Sequence, residues 1–321
     1  MAAYSNIEST ICMGELMETA EKLNVLINKC FLKAMPLKMG CPAEGNNFQQ
    51  FLPQDLNESI LDVNNDICSI LQWAKNNGLL FNASKTQAII FGSARYINSI
   101  EFERLPNIVV NKDKIQFSSS IKYLGVHIEN TLSWDKQVTQ TAGKISSKLY
   151  QLKLCKHLLT DSLRIQLITT LILLHLNYCC AALTDITAEQ NLRLQRALNS
   201  CVRLIFGIKR DVHITSFYCK LGWLKTDRRR DHTMASLLHD IILNQKPKII
   251  FEGLTFRSVE LCRNTRADVN LLSLPQCRTE TYKKSFRYHA SKIWNNLPPE
   301  LRKLQSIKVF RTRLFEYLLN N

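Results

Sequence analysis

The chain has 321 residues, 45% of them hydrophobic and 21% charged, and this composition excludes an intrinsically disordered protein. Its formal net charge is +15, and residues 1–97 hold 7 basic and 9 acidic side chains, so the remainder carries a net charge of +17. Such an uneven basic charge favours a polyanionic partner, nucleic acid before membrane. The alternative is an ordinary solvated basic surface.

The cysteines and the apolar segments indicate the cellular compartment of the protein. None of the 11 cysteines is spaced C-x-x-C, which excludes a common zinc-finger pattern. Free cysteines among apolar residues favour a reducing compartment, so we expect an intracellular protein of the cytoplasm or nucleus. The first residues lack the pattern of a signal peptide. The most apolar segment, Ile168 to Leu183, is too short for a membrane span, and we expect a buried helix and no membrane partner.

The first part of the chain predicts helices. Residues 1–35 are predicted to form an acidic amphipathic helix, followed by a loop to residue 48. Asp55 is placed to cap a second helix that runs to about Asn77 and stops at Gly78 in a left-handed conformation. Its apolar stripe consists of Ile60, Val63, Ile67, Ile70 and Leu71.

Strands are predicted next. Leu79–Phe81, Gln87–Phe91 and Ile121–Ile128 have strand-like patterns, and a hairpin is predicted for Asn107–Phe117 with its turn near Asn111-Lys-Asp113.

From Ser133 onward the pattern is helical. One helix has a seam formed by Val138, Ala142, Ile145, Leu149 and Leu152. A second begins near Thr160 or Asp161 and is apolar nearly all round, which predicts a central position. A third begins with a capping box at Thr187-Ala-Glu-Gln190 and stops at Gly207. Further helices are predicted from Thr226 to about Asn244 and for about Gln305–Leu319, the last with Val309, Phe310, Leu314 and Leu318 on one side.

Two blocks carry a resemblance to a known family. The first is Trp73-Ala-Lys-Asn-Asn-Gly-Leu-Leu-Phe-Asn-Ala-Ser-Lys-Thr-Gln-Ala-Ile-Ile-Phe-Gly-Ser93, and the second is Ile121-Lys-Tyr-Leu-Gly-Val-His-Ile128. Together they resemble the back half of the palm in reverse transcriptases (RNA-directed DNA polymerases) of non-LTR retrotransposons, the LINE elements of jockey or chicken-repeat type. The resemblance implies that Lys85 lies near the triphosphate of the incoming nucleotide. It also implies a primer-grip-like strand at Tyr123, Leu124 and Gly125.

The resemblance extends over roughly residues 50–321. Leu192–Gly207, Leu221-Gly-Trp-Leu224 and Arg228-Arg-Arg230 resemble the family's thumb, and Trp294-Asn-Asn-Leu-Pro298 resembles the tail beyond it. It implies an α+β fold, in which a palm remnant of one small antiparallel sheet and a helix is followed by a mainly helical thumb and C-terminal region. The expected divisions are an unrelated leader at 1–48, a partial palm at 49–130, a thumb at 131–246 and a basic aromatic tail at 247–321.

The family's catalytic carboxylates are missing. Members hold Mg²⁺ through Asp residues that include an adjacent pair shortly before the helix ending at Trp73. No Asp-Asp pair occurs in this sequence, and Glu44 is the sole carboxylate within residues 40–51. Asp55, Asp62 and Asp66 are explained by helix caps and solvated helix faces. We therefore expect no complete catalytic or metal site, no cofactor, and no polymerase activity from this chain alone.

Binding is the function that remains. The family's thumb cradles the template–primer duplex mainly through phosphates, which implies contacts to RNA or DNA at Lys144, Lys148, Arg193, Arg196 and Arg203. These side chains are otherwise explained as solvated helix faces. The Tyr282–Tyr288 cluster either stacks on single-stranded bases or packs the tail against the thumb.

A different class of function is also open. The chain is alternatively a host-adopted scaffold that binds protein or RNA, with residues 1–35 contacting a protein partner. Strands that once paired with missing strands are expected to leave an apolar face and an open edge, which would favour a product that never becomes a stable protein.

Overall fold

A computed structural model describes residues 55–257, 270–276, 283 and 285–320. The chain divides into two compact units, one ending at Leu132 and one beginning at Ser133. The predicted leader helix and loop of residues 1–48 lie outside the described residues. The described chain is α+β, since two small antiparallel sheets occur with many helices.

The first unit combines helices with two hairpins. Its helices and strands are α1 (Leu56–Asn76), α2 (Ala94–Ser99), β1 (Ile108–Val110), β2 (Asp113–Ile115), β3 (Ser120–Tyr123) and β4 (Val126–Glu129). Short 3-10 turns occur at Ala83–Lys85 and Phe102–Arg104. The core consists of Leu56, Ile60, Ala88, Ile90, Ile97, Ile108, Val110 and Ile115.

Helix α1 confirms the prediction made from its apolar stripe. Ile60 and Ile70 are buried, and the other stripe residues pack against the core of the first unit. Gly78 has a φ of +68°, and the backbone N–H of Leu79 donates to the carbonyl of Ala74 at 2.8 Å. This 6→1 hydrogen bond and the left-handed glycine form a Schellman ending, as the sequence predicts.

The hairpin predicted at Asn107–Phe117 is confirmed. β1 and β2 are antiparallel, with Val110 opposite Asp113. The two loop residues Asn111 and Lys112 have φ values of +51° and +74°. Two successive residues at positive φ form the tight turn that matches the twist of a hairpin.

The sequence predicts strands at Leu79–Phe81 and Gln87–Phe91, and both predictions are wrong. Leu79–Phe81 is irregular, and the second segment has one isolated bridge, between Ala88 and Phe117. A strand needs a neighbouring strand for its backbone hydrogen bonds, and the described residues supply only the bridge here. Ile90 and Phe91 are nevertheless buried, so their apolar pattern reflects the core rather than a sheet.

The second unit is helical. Its helices are α3 (Asp135–Leu154), α4 (Asp161–Leu171), α5 (Leu173–Asn177), α6 (Ala188–Phe206), α7 (Thr215–Leu221), α8 (Thr226–Asn244), α9 (Lys248–Phe251), α10 (Phe286–Asn296), α11 (Pro299–Arg302) and α12 (Ile307–Asn320).

Helices α3 and α6 pack side by side and run parallel. Near their first turns the Gln190 amide donates to the Asp135 carboxylate at 2.7 Å, and just beyond their last turns the Lys156 ammonium lies close to Gly207. The predicted seam of α3 is confirmed, since Val138, Ile145 and Leu149 belong to the core that α6 completes. The capping box and the Gly207 stop of α6 are also confirmed.

The predicted central position of the apolar helix is only half right. Thr160 caps α4, which begins at Asp161. One face of the stretch formed by α4 and α5 is buried, at Ile168, Ile172, Leu173 and Leu176. The opposite face exposes Leu163, Leu171, Leu174 and Tyr178. The expectation that this segment is too short for a membrane span is wrong, since the stretch Asp161–Ala182 is long and apolar enough to cross a membrane by length and composition alone.

A second core lies around α8. It joins α8 to α10 and α12 and contains Trp294, Phe310, Leu314 and Leu318. The α8 and final-helix predictions are confirmed, except that Val309 is 43% exposed. Phe286 packs against this core, which agrees with the packing interpretation at that residue. Tyr282 and Lys284 of the same cluster lie outside the described residues.

Candidate nucleic-acid interface

Lys85 ends an exposed 3-10 turn. The Asn82 side-chain oxygen accepts from the Ser84 backbone N–H at 3.0 Å and from its hydroxyl at 2.6 Å. The Thr86 hydroxyl donates to the Asn82 carbonyl at 3.1 Å. The segment Asn82–Thr86 is thus an Asx turn. The position of Lys85 near the triphosphate of a nucleotide stays a prediction.

The Tyr123-Leu124-Gly125 segment is the tip of a hairpin. The sequence predicts a single strand over Ile121–Ile128, and that prediction is wrong because β3 and β4 pair with each other, with Tyr123 opposite Val126. Leu124 and Gly125 form the loop, at φ values of +46° and +84°. Gly125 adopts positive φ at little cost, and this lets the chain reverse here. The primer-grip role stays a prediction.

Lys144 and Lys148 lie on the α5 side of α3. The Lys148 ammonium donates to the carbonyl of Leu171 at 3.2 Å, at the C-terminus of α4, where a cation is favourable. Burial, and then the charges of Lys148 and Lys144, lower the pKa of His175. Lys148 therefore has a structural bond in addition to any contact with a phosphate, while Lys144 is exposed.

Arg193 extends from α6 toward a different side of α3. Its guanidinium donates to the Thr139 hydroxyl at 2.7 Å. Thr139 and Lys148 are nine residues apart, which at 3.6 residues per turn places them about 180° apart around α3. The five predicted phosphate contacts therefore do not form one surface: the lysines lie on one side of α3 and the arginines lie on α6.

The arginines of α6 line an open hollow. We define the α6 concavity by the residues around its volume of about 370 Å³, which are Arg196, Asn199, Ser200, Arg203 and Arg210. The first four follow the spacing i, i+3, i+4 and i+7, so they share one face of α6. The opposite face is buried at Leu198, Cys201, Val202 and Ile205. Arg210 completes the hollow from the loop that follows Gly207.

Arg203 holds that loop in place. Its guanidinium donates to the carbonyls of Lys209 at 3.2 Å, Arg210 at 3.0 Å and Val212 at 3.4 Å. Since these carbonyls belong to the segment that carries Arg210, Arg203 positions a second arginine as well as lining the concavity. Its predicted role as a simple phosphate contact is therefore incomplete.

The positive charge of this region is poorly compensated. Helices α3 and α6 carry seven basic side chains and two acidic ones, Asp135 and Glu189, both in first turns. Among the described residues, no carboxylate forms a salt bridge with Arg196, Arg203 or Arg210. Three guanidinium groups without acidic partners favour an anionic ligand.

Sequence reasoning missed three residues of the concavity. Asn199 and Ser200 are uncharged, and the signal that could have found them is their helical spacing between Arg196 and Arg203. Arg210 follows Gly207, where the chain leaves the helix, so its return to α6 depends on the bonds made by Arg203.

The arginines of the Arg228-Arg-Arg230 segment differ from those of α6. Arg229 donates to the carbonyl of Leu224 at 2.9 Å, and Arg230 donates to the Asn191 side chain at 2.9 Å. Burial lowers the pKa of both guanidinium groups. Arg230 thus joins α8 to α6, while Arg229 bonds to the segment that precedes α8.

Comparisons with known proteins add no relative. No known protein family, curated protein or solved structure matches the chain. Within the described part of the chain, no group of three or more His, Cys, Asp or Glu side chains is arranged to hold a metal ion. The candidate site is therefore argued from its own geometry.

Proposed function

We propose that the chain is derived from a non-LTR retrotransposon reverse transcriptase and binds RNA or DNA through phosphates without polymerising nucleotides. The ordered Trp73–Ser93 and Ile121–Ile128 blocks support the family origin. A mixed unit that precedes a helical unit is consistent with a palm remnant and a thumb. Binding through phosphates carries no sequence preference, so we expect nonspecific binding.

The observation that carries the binding proposal is the α6 concavity. Arg196 and Arg210 are exposed, and Arg203 is held by three backbone carbonyls. Arginine binds phosphate through several N–H donors in a fixed plane, and a guanidinium already fixed in place loses little entropy on binding.

The proposed lack of polymerase activity rests on the sequence. Two-metal phosphoryl transfer needs closely placed carboxylates, and the 321 residues contain no adjacent Asp pair. Lys85 supplies a cation that is useful only beside such a metal site. The chain by itself therefore has one remnant of the catalytic machinery.

Two assays on the purified full chain test the proposal. With Mg²⁺, primer, template and deoxynucleotides, we expect no primer extension; synthesis that the Lys85→Ala variant abolishes would overturn this. In a fluorescence-anisotropy assay with a labelled duplex, we expect binding that weakens steeply from about 50 to 200 mM salt. Absence of binding at the lower salt concentration would refute the nucleic-acid function.

A protein-binding scaffold is the second candidate. Exposed apolar side chains on one side of α4 and α5 favour it, because such residues often mark an interaction surface; they are Leu163, Leu171, Leu174 and Tyr178. A partner recovered with the full chain should be lost with a Leu171→Glu/Leu174→Glu variant. Equal recovery with that variant would reject this surface.

A further inference from the structure

We infer that the α6 concavity binds phosphodiester oxygens of a nucleic-acid strand and that Asn199 contacts them through its side-chain N–H groups, aimed by Gln195 and Tyr218. This inference rests on the proposed function and adds to it a contact residue, two positioning residues and a hydrogen-bond polarity. Asn199 is uncharged, so its role follows from the network behind it rather than from its residue type.

The network begins at a backbone amide, whose polarity is unambiguous. The N–H of Thr226, at the start of α8, donates to the Gln195 side-chain oxygen at 3.0 Å. A backbone N–H can only donate, so the atom of Gln195 that faces it must be the carbonyl oxygen. The Thr226 hydroxyl lies 3.0 Å from the same oxygen and 3.2 Å from the Asn191 side-chain oxygen, and its one proton serves these two acceptors. The other end of the Gln195 amide is therefore its N–H₂ group.

The orientation of Gln195 fixes that of Asn199. The Gln195 N–H₂ group lies 2.8 Å from the Asn199 side-chain atom that faces it, and that atom must therefore be an acceptor, Oδ1. The Tyr218 hydroxyl donates to the same Oδ1 at 2.7 Å. Two donors thus converge on the Asn199 oxygen, and the amide cannot be flipped without opposing donor to donor at Gln195.

Tyr218 is suited to this role. Burial raises the pKa of its hydroxyl, so the group stays protonated and keeps its donor. The hydroxyl accepts from Gln195 at 2.9 Å, and its single proton is thereby directed to Asn199. Its ring is buried against the core that contains α6. The acceptor end of Asn199 is therefore held by a closed triangle of three side chains.

The other polar group of the Asn199 side chain is its Nδ2 amino group, which has two N–H donors. Within the described residues, its Nδ2 makes no hydrogen bond, although Asn199 lines the concavity. The Ser200 hydroxyl proton is used on the Arg196 carbonyl at 3.0 Å. The arginine side chains have no acceptor atom, so, apart from the Ser200 oxygen, the polar side-chain groups that face the concavity are donors. A ligand must then supply acceptors, as the unesterified oxygens of a phosphodiester do.

The dimensions of the face suit a strand better than a single anion. Arg196 and Arg203 are seven residues apart, a rise of roughly 10.5 Å along α6. This distance is longer than one phosphate group, so the face can contact more than one phosphate of a strand. Asn199 lies between the two arginines and would contact a phosphate group between theirs.

An isosteric substitution tests the donor end of Asn199. Asn199→Asp keeps an oxygen for Gln195 and Tyr218 and replaces the N–H₂ group with a second oxygen. We expect its affinity for a labelled 16-base-pair duplex to fall about tenfold or more, because one hydrogen bond to a charged group is lost and a carboxylate then faces the phosphate. The matched control, Asn296→Asp on α10, adds the same charge at an exposed site and should lower affinity less than about threefold. Equal losses in the two variants would overturn the inference.

A double-mutant cycle tests the positioning role of Tyr218. Tyr218→Phe removes one donor to Asn199 and should lower duplex affinity about two- to fivefold. The effect should be smaller in the Asn199→Asp background, because the N–H₂ group that Tyr218 positions is already absent there. A merely structural Tyr218 would lower affinity by the same factor in both backgrounds, and that result would reject its positioning role. Thermal unfolding of each variant shows whether it is folded at the assay temperature.

Two further probes test the chemistry of the ligand. A duplex with neutral methylphosphonate linkages in one strand should bind the wild type more weakly, and the penalty of Asn199→Asp should shrink on it. A polyglutamate peptide of matched charge that competes as well as unlabelled duplex would overturn the phosphate assignment. If the wild type fails to bind duplex at low salt, the proposed function fails; if it binds and Asn199→Asp matches its control, the inference alone fails.

Discussion

The Asn64 side chain occupies the outer edge of strand β1 through a hydrogen bond with Val109. Its oxygen accepts the Val109 backbone N–H at 3.0 Å, and its nitrogen donates to the Asn107 carbonyl at 2.9 Å. In this hairpin the backbone N–H and C=O groups of Ile108 and Val110 bond to β2, so the backbone polar groups of Asn107 and Val109 point to the opposite edge of β1. One side chain of α1 thus makes both hydrogen bonds of a neighbouring strand, and the open edge expected from the sequence is partly closed.

Removing the Asn64 side chain should weaken the first unit. We predict that Asn64→Ala lowers the free energy of opening β1 by about 1–2 kcal/mol relative to Asn65→Ala. Both substitutions raise helix propensity in α1 equally, so their difference isolates the two bonds to β1. Native-state hydrogen exchange at Ile108 and Val110 measures this opening. Equal protection in the two variants would show that Asn64 does not stabilise the edge.

Leu124 should be replaceable with a gain in stability. A leucine in the left-handed region costs roughly 1–2 kcal/mol, and Leu124 is 73% exposed, so little packing is lost on substitution. We predict that Leu124→Gly raises the free energy of unfolding of the first unit by about 0.5 kcal/mol. Leu80→Gly, at an exposed residue of ordinary φ, should have the opposite sign. Chemical denaturation compares them, and destabilisation by Leu124→Gly would contradict the turn geometry.

The two faces of the apolar helical stretch should respond differently to truncation. Ile172 is fully buried, and Ile172→Ala should cost about 2–5 kcal/mol of unfolding free energy through transfer and cavity terms. Leu174 is 61% exposed, and Leu174→Ala should cost less than about 1 kcal/mol. Urea denaturation of the full chain measures both. Similar costs would mean that the stretch is buried on both faces.

Acid should destabilise the second unit through His239. This ring stacks on Phe310 with centroids 4.0 Å apart, and its Nε2 lies 2.7 Å from the carbonyl of Leu304. A carbonyl only accepts, so Nε2 carries the proton and the buried Nδ1 has no partner among the described residues. Burial lowers the pKa of His239 below its usual value. As pH falls, the unfolded state binds the proton first, and stability is lost below about pH 6.5.

Replacing that histidine tests the assignment. The His239→Phe variant should be less stable than the wild type at pH 7.5, because it lacks the hydrogen bond to the Leu304 carbonyl. Between pH 7.5 and pH 5, however, its free energy of unfolding should fall by less than that of the wild type. His175, His232 and His289 also have lowered pKa values, so part of the wild-type dependence should remain. Urea titrations at several pH values provide the comparison. An unchanged pH dependence in the variant would exclude His239 as a contributor.

The features predicted correctly from the sequence have local causes. The Thr187–Gln190 capping box, the Gly207 and Gly78 stops and the Asn111–Lys112 turn each depend on a few neighbouring residues, so their patterns identify them. The strands at Leu79–Phe81 and Gln87–Phe91 needed partners, which local pattern cannot supply. The Ile121–Ile128 hairpin was missed because its turn begins with an apolar residue, Leu124.

The candidate site was only partly predictable from the sequence, because several of its side chains are positioned by bonds that local pattern does not indicate. Charge alone identifies Arg196. The bonds of Arg203 depend on how the chain turns back after Gly207, and the bond of Arg230 depends on Asn191, which lies 39 residues earlier in the chain. Asn199 acquires a donor role from Thr226, which is 27 residues later in the chain. Its own residue type carries no signal of that role.

The most direct test of phosphate binding at the α6 concavity is the salt dependence of duplex affinity. For the wild type, the logarithm of the association constant should fall linearly with the logarithm of salt concentration, by about 0.9 per phosphate contact. The Arg196→Ala/Arg210→Ala variant should have a slope shallower by about 1–2, whereas Lys308→Ala/Arg313→Ala on α12 should keep the wild-type slope. A concavity variant with the wild-type slope, or a control with an equally reduced one, would contradict the account.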